Sequence, residues 1–300
     1  MKKIFVVATM IWSSLCAAQE KITIVSPYAA SHSGNAAMFK IIEQANAMQN
    51  KFDFVLEFRP GGEQLIAIKA IERDPQKNLV VIAPKFVEHA MSGNIQANQY
   101  VPVHALGDAC WAIIANINNG KDGIANLQNQ KEIFVGGVGI GNATHLTSLQ
   151  IAEKYGFAVQ YVPFKSNYDA LVVMAANGGI NFVIDRVAAY QQFRTKNPNL
   201  VMLAMHCPDR HPQAPHVATL KEQGITAPYV FNITMAHVDM KPERRAELGQ
   251  ILNSAASAVG TATIQQLSDM RPPVVSLDQY FKDSYALVEQ LLKKHHKKLH

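Results

Sequence analysis

The stretch that decides the fold is EIFVGGVGIGNATHLTSLQIAEKY, residues 132–155. Ile133–Gly136 is a short apolar, β-branched run, and Thr144–Tyr155 carries a helical pattern. Between them lies Gly136-Gly137-Val138-Gly139-Ile140-Gly141-Asn142-Ala143-Thr144-His145. Strand, glycine-rich turn and helix in that order form the repeating unit of α/β architecture. Glycine lets the backbone approach a ligand, and the helix start points free N–H groups at it.

The same unit recurs outward from this stretch. Ile22–Val25 reads as a strand, followed by Pro27-Tyr28-Ala29-Ala30-Ser31-His32-Ser33-Gly34 and a helix over Asn35–Gln49. Phe54–Phe58 reads as a strand, Arg59-Pro60-Gly61-Gly62 as its turn, and Glu63–Ile71 as a helix. Leu79–Ile82, Trp111–Asn116, Gln160–Pro163, Phe182–Ile184 and Leu200–Ala204 are further strands. Helices are expected at Tyr168–Ala176 and Arg186–Arg194, and the end of the chain is mostly helical, beginning with Glu243–Val259 behind Pro242. In open α/β sheets ligands bind at the carboxyl ends of strands, so the three small-residue turns describe an anion-accepting cleft.

A dinucleotide reading of the glycine loop competes with this one. Gly137-x-Gly139-x-Gly141 is one residue short of the G-x-G-x-x-G spacing and comes late in the chain. No cofactor is expected.

The chain opens with Met1, Lys2 and Lys3, an apolar run over Ile4–Leu15, and Cys16-Ala17-Ala18 before Gln19. That is the layout of a secretory signal peptide, so residues 1–18 are expected to be cleaved and the protein to be periplasmic. Leu15 is not the small residue that a lipid-modified Cys16 would need. The formal net charge of +5 draws two units from Lys2 and Lys3 and four from Lys293, Lys294, Lys297 and Lys298. The body is therefore near neutral, and no basic patch with interleaved aromatics points to nucleic acid.

Of three cysteines, Cys110 and Cys207 lie beyond the leader. An oxidising compartment permits a disulfide, but the sequence leaves open whether they meet. His206, Cys207, Asp209, His211 and His216 cluster without a zinc-like spacing and read as a solvated loop, with no metal. His295-His296 reads as tail. Gly-x-Ser-x-Gly, His-Glu-x-x-His and phosphate-binding Gly-Lys-Ser/Thr motifs are absent, so no enzyme is expected.

With these turns in hand, the chain resembles the Bug-type solute receptors of tripartite tricarboxylate transporters. Ile24-Val25-Ser26-Pro27-Tyr28-Ala29 is similar to the family's opening "P-Y-A-x-G-G" turn, and Phe58-Arg59-Pro60-Gly61-Gly62 to its "N-R-P-G-A-G-G". Gly139–Leu146 is similar to the glycine loop ending in "H-L", Val162–Ser166 to "V-P-Y-K-G", and Pro215–Gly224 to "P-x-V-P-T-L-x-E-x-G". The resemblance implies a two-lobed, Venus-flytrap fold with two strand crossovers. One lobe would span 19–107 plus 225–300 and the other 108–224.

It also implies a monomer that holds a small carboxylate and hands it to the permease subunits of a tripartite transporter. A periplasmic sensor using the same cleft on a signalling partner is the rival reading. The implied ligand-binding residues are Tyr28, Ala29, Ser31, His32, Ser33, Gly139, Gly141, Asn142, Thr144, His145 and Asp185. Backbone amides and ordered waters would do most of the holding. The first turn departs from the pattern: Ser31-His32-Ser33 stands in place of the glycine pair and Asn35 in place of an acid, while Asn142 replaces a serine of the third loop. Asp185 reads either as a helix N-cap or as a residue selecting the far end of the ligand.

Overall fold

The computed structural model describes residues 19–30, 34–116, 124, 127, 130–228, 231–271, 273 and 276–295. Residues 1–18, with the expected leader, and Ser31, His32 and Ser33 of the first turn lie outside them.

Two sheets organise the chain. The first has six strands in the order β11-β4-β10-β3-β1-β2. They are β1 (Glu20–Ser26), β2 (Phe52–Phe58), β3 (Leu79–Ile82), β4 (Tyr100–Ala109), β10 (Phe231–His237) and β11 (Met270–Arg271). β1 lies between β2 and β3, parallel to both, whereas β10 runs antiparallel to β3 and β4. The second sheet has the order β7-β6-β8-β5-β9, from β5 (Trp111–Asn116), β6 (Glu132–Gly137), β7 (Ala158–Pro163), β8 (Phe182–Arg186) and β9 (Leu200–His206). The chain leaves the first sheet between β4 and β5 and returns between β9 and β10. Cys110, at the outward crossing, and Cys207, at the end of β9, are joined by a disulfide with 4.9 Å between their Cα atoms.

Burial follows from the patterning. Ile22, Ile24 and Val25 of β1 are all fully buried, because a parallel strand covered on both faces is apolar along its length. On one face Ile22 and Ile24 pack with Met38 and Ile41 of α1 (Gly34–Met48) and with Leu248 and Leu252 of α7 (Pro242–Val259). On the other, Val25 and Val81 pack with Phe86 of α3 (Phe86–Met91) and Tyr280 and Val288 of α9 (Leu277–His295). That cluster also takes in Leu146 and Leu149 of α4 (Ala143–Tyr155), a helix that follows a strand of the second sheet. The cores of the two halves therefore touch.

The helix expected over Glu63–Ile71 is broken. A 3-10 turn at Gly62–Gln64, α2 (Leu65–Ile68) and a second 3-10 turn at Ile71–Arg73 take its place. Gly61, Gly62, Glu63 and Gln64 have φ of 115°, 54°, 51° and 81°, which no right-handed helix accommodates. β4 and β10, which pair with each other at the middle of the first sheet, carry no strand expectation in the sequence.

Candidate interlobe anion site

The loop after β6 is built from its own side chains. Asn142 is the N-cap of α4, its Oδ1 accepting from His145 N at 2.9 Å and from Thr144 Oγ1 at 2.7 Å. Thr144 Oγ1 also lies 2.8 Å from the Tyr161 hydroxyl, and His145 Nδ1 accepts from Gly141 N at 3.0 Å. The His145 ring stacks on Tyr161 with centroids 4.3 Å apart. Asn142, Thr144 and His145 are 7, 3 and 3% exposed. Their side chains fix the loop. Gly139 and Gly141 sit at φ 69° and 79°, which glycine adopts without strain.

The turn after β1 is tied down by the side chains of Asn35 and Ser26, the Ser26 hydroxyl accepting from Tyr28 N at 3.3 Å. Asn35 is fully buried, accepts from Ser26 Oγ at 2.6 Å and donates to Ala29 O at 2.8 Å. Ala29 and Ala30 stay exposed. The half-buried Tyr28 phenol is pushed up to about 12 by burial, opposed by the Arg186 charge and a hydrogen bond from Gln64. Tyr28 is thus within electrostatic reach of the end of β8 in the second sheet.

Asp185 lies inside β8, in register with Ala112, and the N-cap of α6 (Val187–Arg194) is Arg186. The N-cap reading of Asp185 is therefore corrected: the N-cap position falls one residue later, and the Asp185 carboxylate accepts from the N-cap's own amide and not from the first turn of α6. Asp185 Oδ1 accepts from Arg186 N at 2.8 Å. Burial raises its pKa to about 6, against the pull of Arg186 and a hydrogen bond from Asn167.

Three carboxylates of the first-sheet half reach this place without any sequence expectation. A Cβ at Gly139 would lie 2.9 Å from Glu63 Oε2, so the Glu63 carboxylate rests on the glycine loop. Lys85 Nζ is 3.5 Å from the same oxygen. Glu88 on α3 lies beside the Ala143 backbone at the start of α4, and burial raises its pKa to about 7. Asp269 Oδ2 accepts from Ala188 N in the first turn of α6 at 3.1 Å. A signal for Glu63 was present: the last two glycines of the family's "N-R-P-G-A-G-G" fall on Glu63 and Gln64. Nothing local marks Glu88 or Asp269.

The histidine cluster is corrected in part, since Asp209 and His216 are exposed as a solvated loop requires. His206 ends β9 and is 8% exposed, and His211 is 1% exposed, so neither lies in a solvated loop. Burial holds His206 down to about 4. Cys207 is taken by the disulfide. Among the described residues, no group of three or more His, Cys, Asp or Glu side chains is placed to hold a metal ion.

The model of the tripartite tricarboxylate transporter family receptor matches residues 113–290. No curated protein matches the chain. Among solved structures, a Rhodopseudomonas palustris protein with adipate has a TM-score of 0.75 at 19% identity, covering 94% of this chain and 97% of its own. MatC from R. palustris with bound malate has 0.70 at 15%, covering 91% and 99%. The periplasmic binding protein BugD has 0.70 at 17%, covering 93% and 97%. These likenesses establish the two-lobed fold.

Proposed function

Because the chain belongs to the tripartite tricarboxylate transporter receptor family, we propose that it is a periplasmic solute-binding protein that closes on a small carboxylate. It then delivers that ligand, as a monomer, to the membrane permease subunits. Residues 1–18 form the cleaved leader, 19–107 plus 225–300 the first lobe and 108–224 the second. The carboxylate sits between the turn after β1 (Tyr28, Ala29, Ser31, His32 and Ser33) and the loop after β6 (Gly139, Gly141, Asn142, Thr144 and His145). Asp185 stands toward its far end. Since the side chains of Asn142, Thr144 and His145 are engaged within the loop, these residues contribute a fixed backbone.

The observation that carries the reading is convergence. The carboxyl ends of β1, β2, β6 and β8 approach one another, through Tyr28 with Arg186 and Glu63 with Gly139. Malate and adipate in two proteins of the same fold agree with a carboxylate ligand. The test is thermal denaturation of the chain from Gln19 with mono-, di- and tricarboxylates. A ligand bound only by the folded state at 100 times its Kd adds about 2.7 kcal/mol and raises Tm. At least one carboxylate should do so. An unchanged Tm across the whole panel rejects the reading.

A further inference from the structure

A carboxylate from the first lobe approaches the start of α4, and another accepts from the first turn of α6. Glu88 lies beside the Ala143 backbone at the start of α4. Asp269 accepts from Ala188 N of α6 at 3.1 Å. Such helix starts are where an anionic group of a ligand would otherwise be held, because their N–H groups are free and the helix dipole favours negative charge. Glu63 adds a third carboxylate, covering Gly139.

The placement of Glu63 is maintained against local preference. Glu63 and Gln64 hold φ of 51° and 81°, a region that L residues other than Asn and Asp seldom enter. The turn thereby aims the Glu63 carboxylate at the opposite lobe. Lys85 balances one negative charge at 3.5 Å. Above pH 7, where Glu88 ionises, Glu63 and Glu88 together carry two, and Asp185 and Asp269 face Arg186 in the same proportion. A second ligand carboxylate reaching α4, Gly139 or Asp185 would meet fixed like charge in a partly desolvated place, where repulsion is strong.

We propose that Glu63, Glu88 and Asp269 are specificity-determining residues that restrict the cleft to ligands with a single carboxylate and an uncharged or cationic far end. The proposal rests on the carboxylate-receptor reading above. The ligand's carboxylate is left the turn after β1 and the space beside Gly141, where an added Cβ would meet nothing within 4 Å.

The experiment uses the chain from Gln19 at pH 7.5 with three series matched from three to six carbons. These are linear monocarboxylates, ω-amino monocarboxylates and α,ω-dicarboxylates, each titrated by calorimetry. Wild type should bind its tightest monocarboxylate or amino acid at least tenfold more tightly than the dicarboxylate of equal length. Glu88→Gln keeps the size of the side chain while removing the charge, and Glu63→Gly suits the positive φ of 51°, so both variants should fold. Each should tighten dicarboxylate binding and bring the ratio within about threefold in combination. A dicarboxylate that binds wild type as tightly as its matched partners overturns the proposal and leaves the receptor reading standing. A ratio unchanged in the double variant overturns it too. If no compound of the three series binds, and the tricarboxylates of the wider panel also fail, the receptor reading itself is rejected.

Discussion

The turn after β1 and the loop after β6 have the same local plan, a strand running through small residues into a helix, yet they are finished differently. In the loop after β6, Asn142, Thr144 and His145 are buried and spend their polar atoms on one another, on Gly141 and on Tyr161. In the turn after β1, Asn35 holds the backbone from below while Ala29 and Ala30 remain exposed. One lobe thus presents a loop set by its own side chains, and the other an accessible edge. Preorganisation of one side lowers the ordering cost of binding, because fewer groups are immobilised when the ligand enters.

The sheet beneath the loop after β6 is where the largest effect is expected. Cys110 and Cys207 are 97 residues apart in sequence and tie the ends of β5 and β9. Replacing both by serine should cost about 4.7 kcal/mol, the chain-entropy value for a loop of that order. Urea denaturation measures the loss. Hydrogen exchange should show β5 and β9 losing more protection than β1 and β2. Equal loss in both sheets would mean that the brace does not distinguish the lobes.

Asn142→Ala should come next, at about 2 kcal/mol. It removes the cap of α4 and leaves the buried Thr144 hydroxyl with Tyr161 as its remaining hydrogen-bond partner. Circular dichroism during denaturation would record it. A cost under about 0.5 kcal/mol would show that the loop is held by backbone alone.

Gly141→Ala should cost about 1 kcal/mol, and the reason differs from simple crowding. An added Cβ meets nothing within 4 Å, so the penalty is the positive φ of 79°. Gly141→Val adds bulk to that strain, and its side chain points into the space assigned to the ligand. Binding should therefore fall far more than stability, a separation that calorimetry and thermal melts together resolve.

The smallest expected effect is electrostatic. Glu88 is raised from its ordinary value to about 7 by burial. Between pH 4.5 and 7 the folded state then binds more protons than the unfolded chain, so this residue's contribution to stability falls as pH rises. His104 and His206, held down to about 4 by burial, act in the opposite direction but equally in wild type and variant. The Tm of Glu88→Gln minus that of wild type should thus grow from pH 4.5 to 7 and level off above it, by roughly 1–3 °C. A flat difference would place the Glu88 carboxyl in water and off the start of α4.

The sequence by itself determined the α/β class and the three small-residue turns. These rest on short-range signals: β-branched runs, glycine and a helical period, each read within about fifteen residues. Asn142 was singled out there as a departure in the ligand loop, and its role as cap of α4 came only from the structure. Tertiary structure alone decided the rest. β4 and β10 pair across more than a hundred residues, and Pro102, His104 and Gly107 interrupt the pattern that would have marked β4 as a strand. Cys110 and Cys207 left their pairing open because a disulfide needs two Cα atoms brought within reach, which spacing does not reveal. Glu88 and Asp269 look like ordinary helix-surface and turn acids until the first lobe sets them against Ala143 and Ala188. Local free energies write the elements and their turns. Which carboxylate meets which helix start is fixed only when two sheets close on each other, since that contact depends on every intervening crossing.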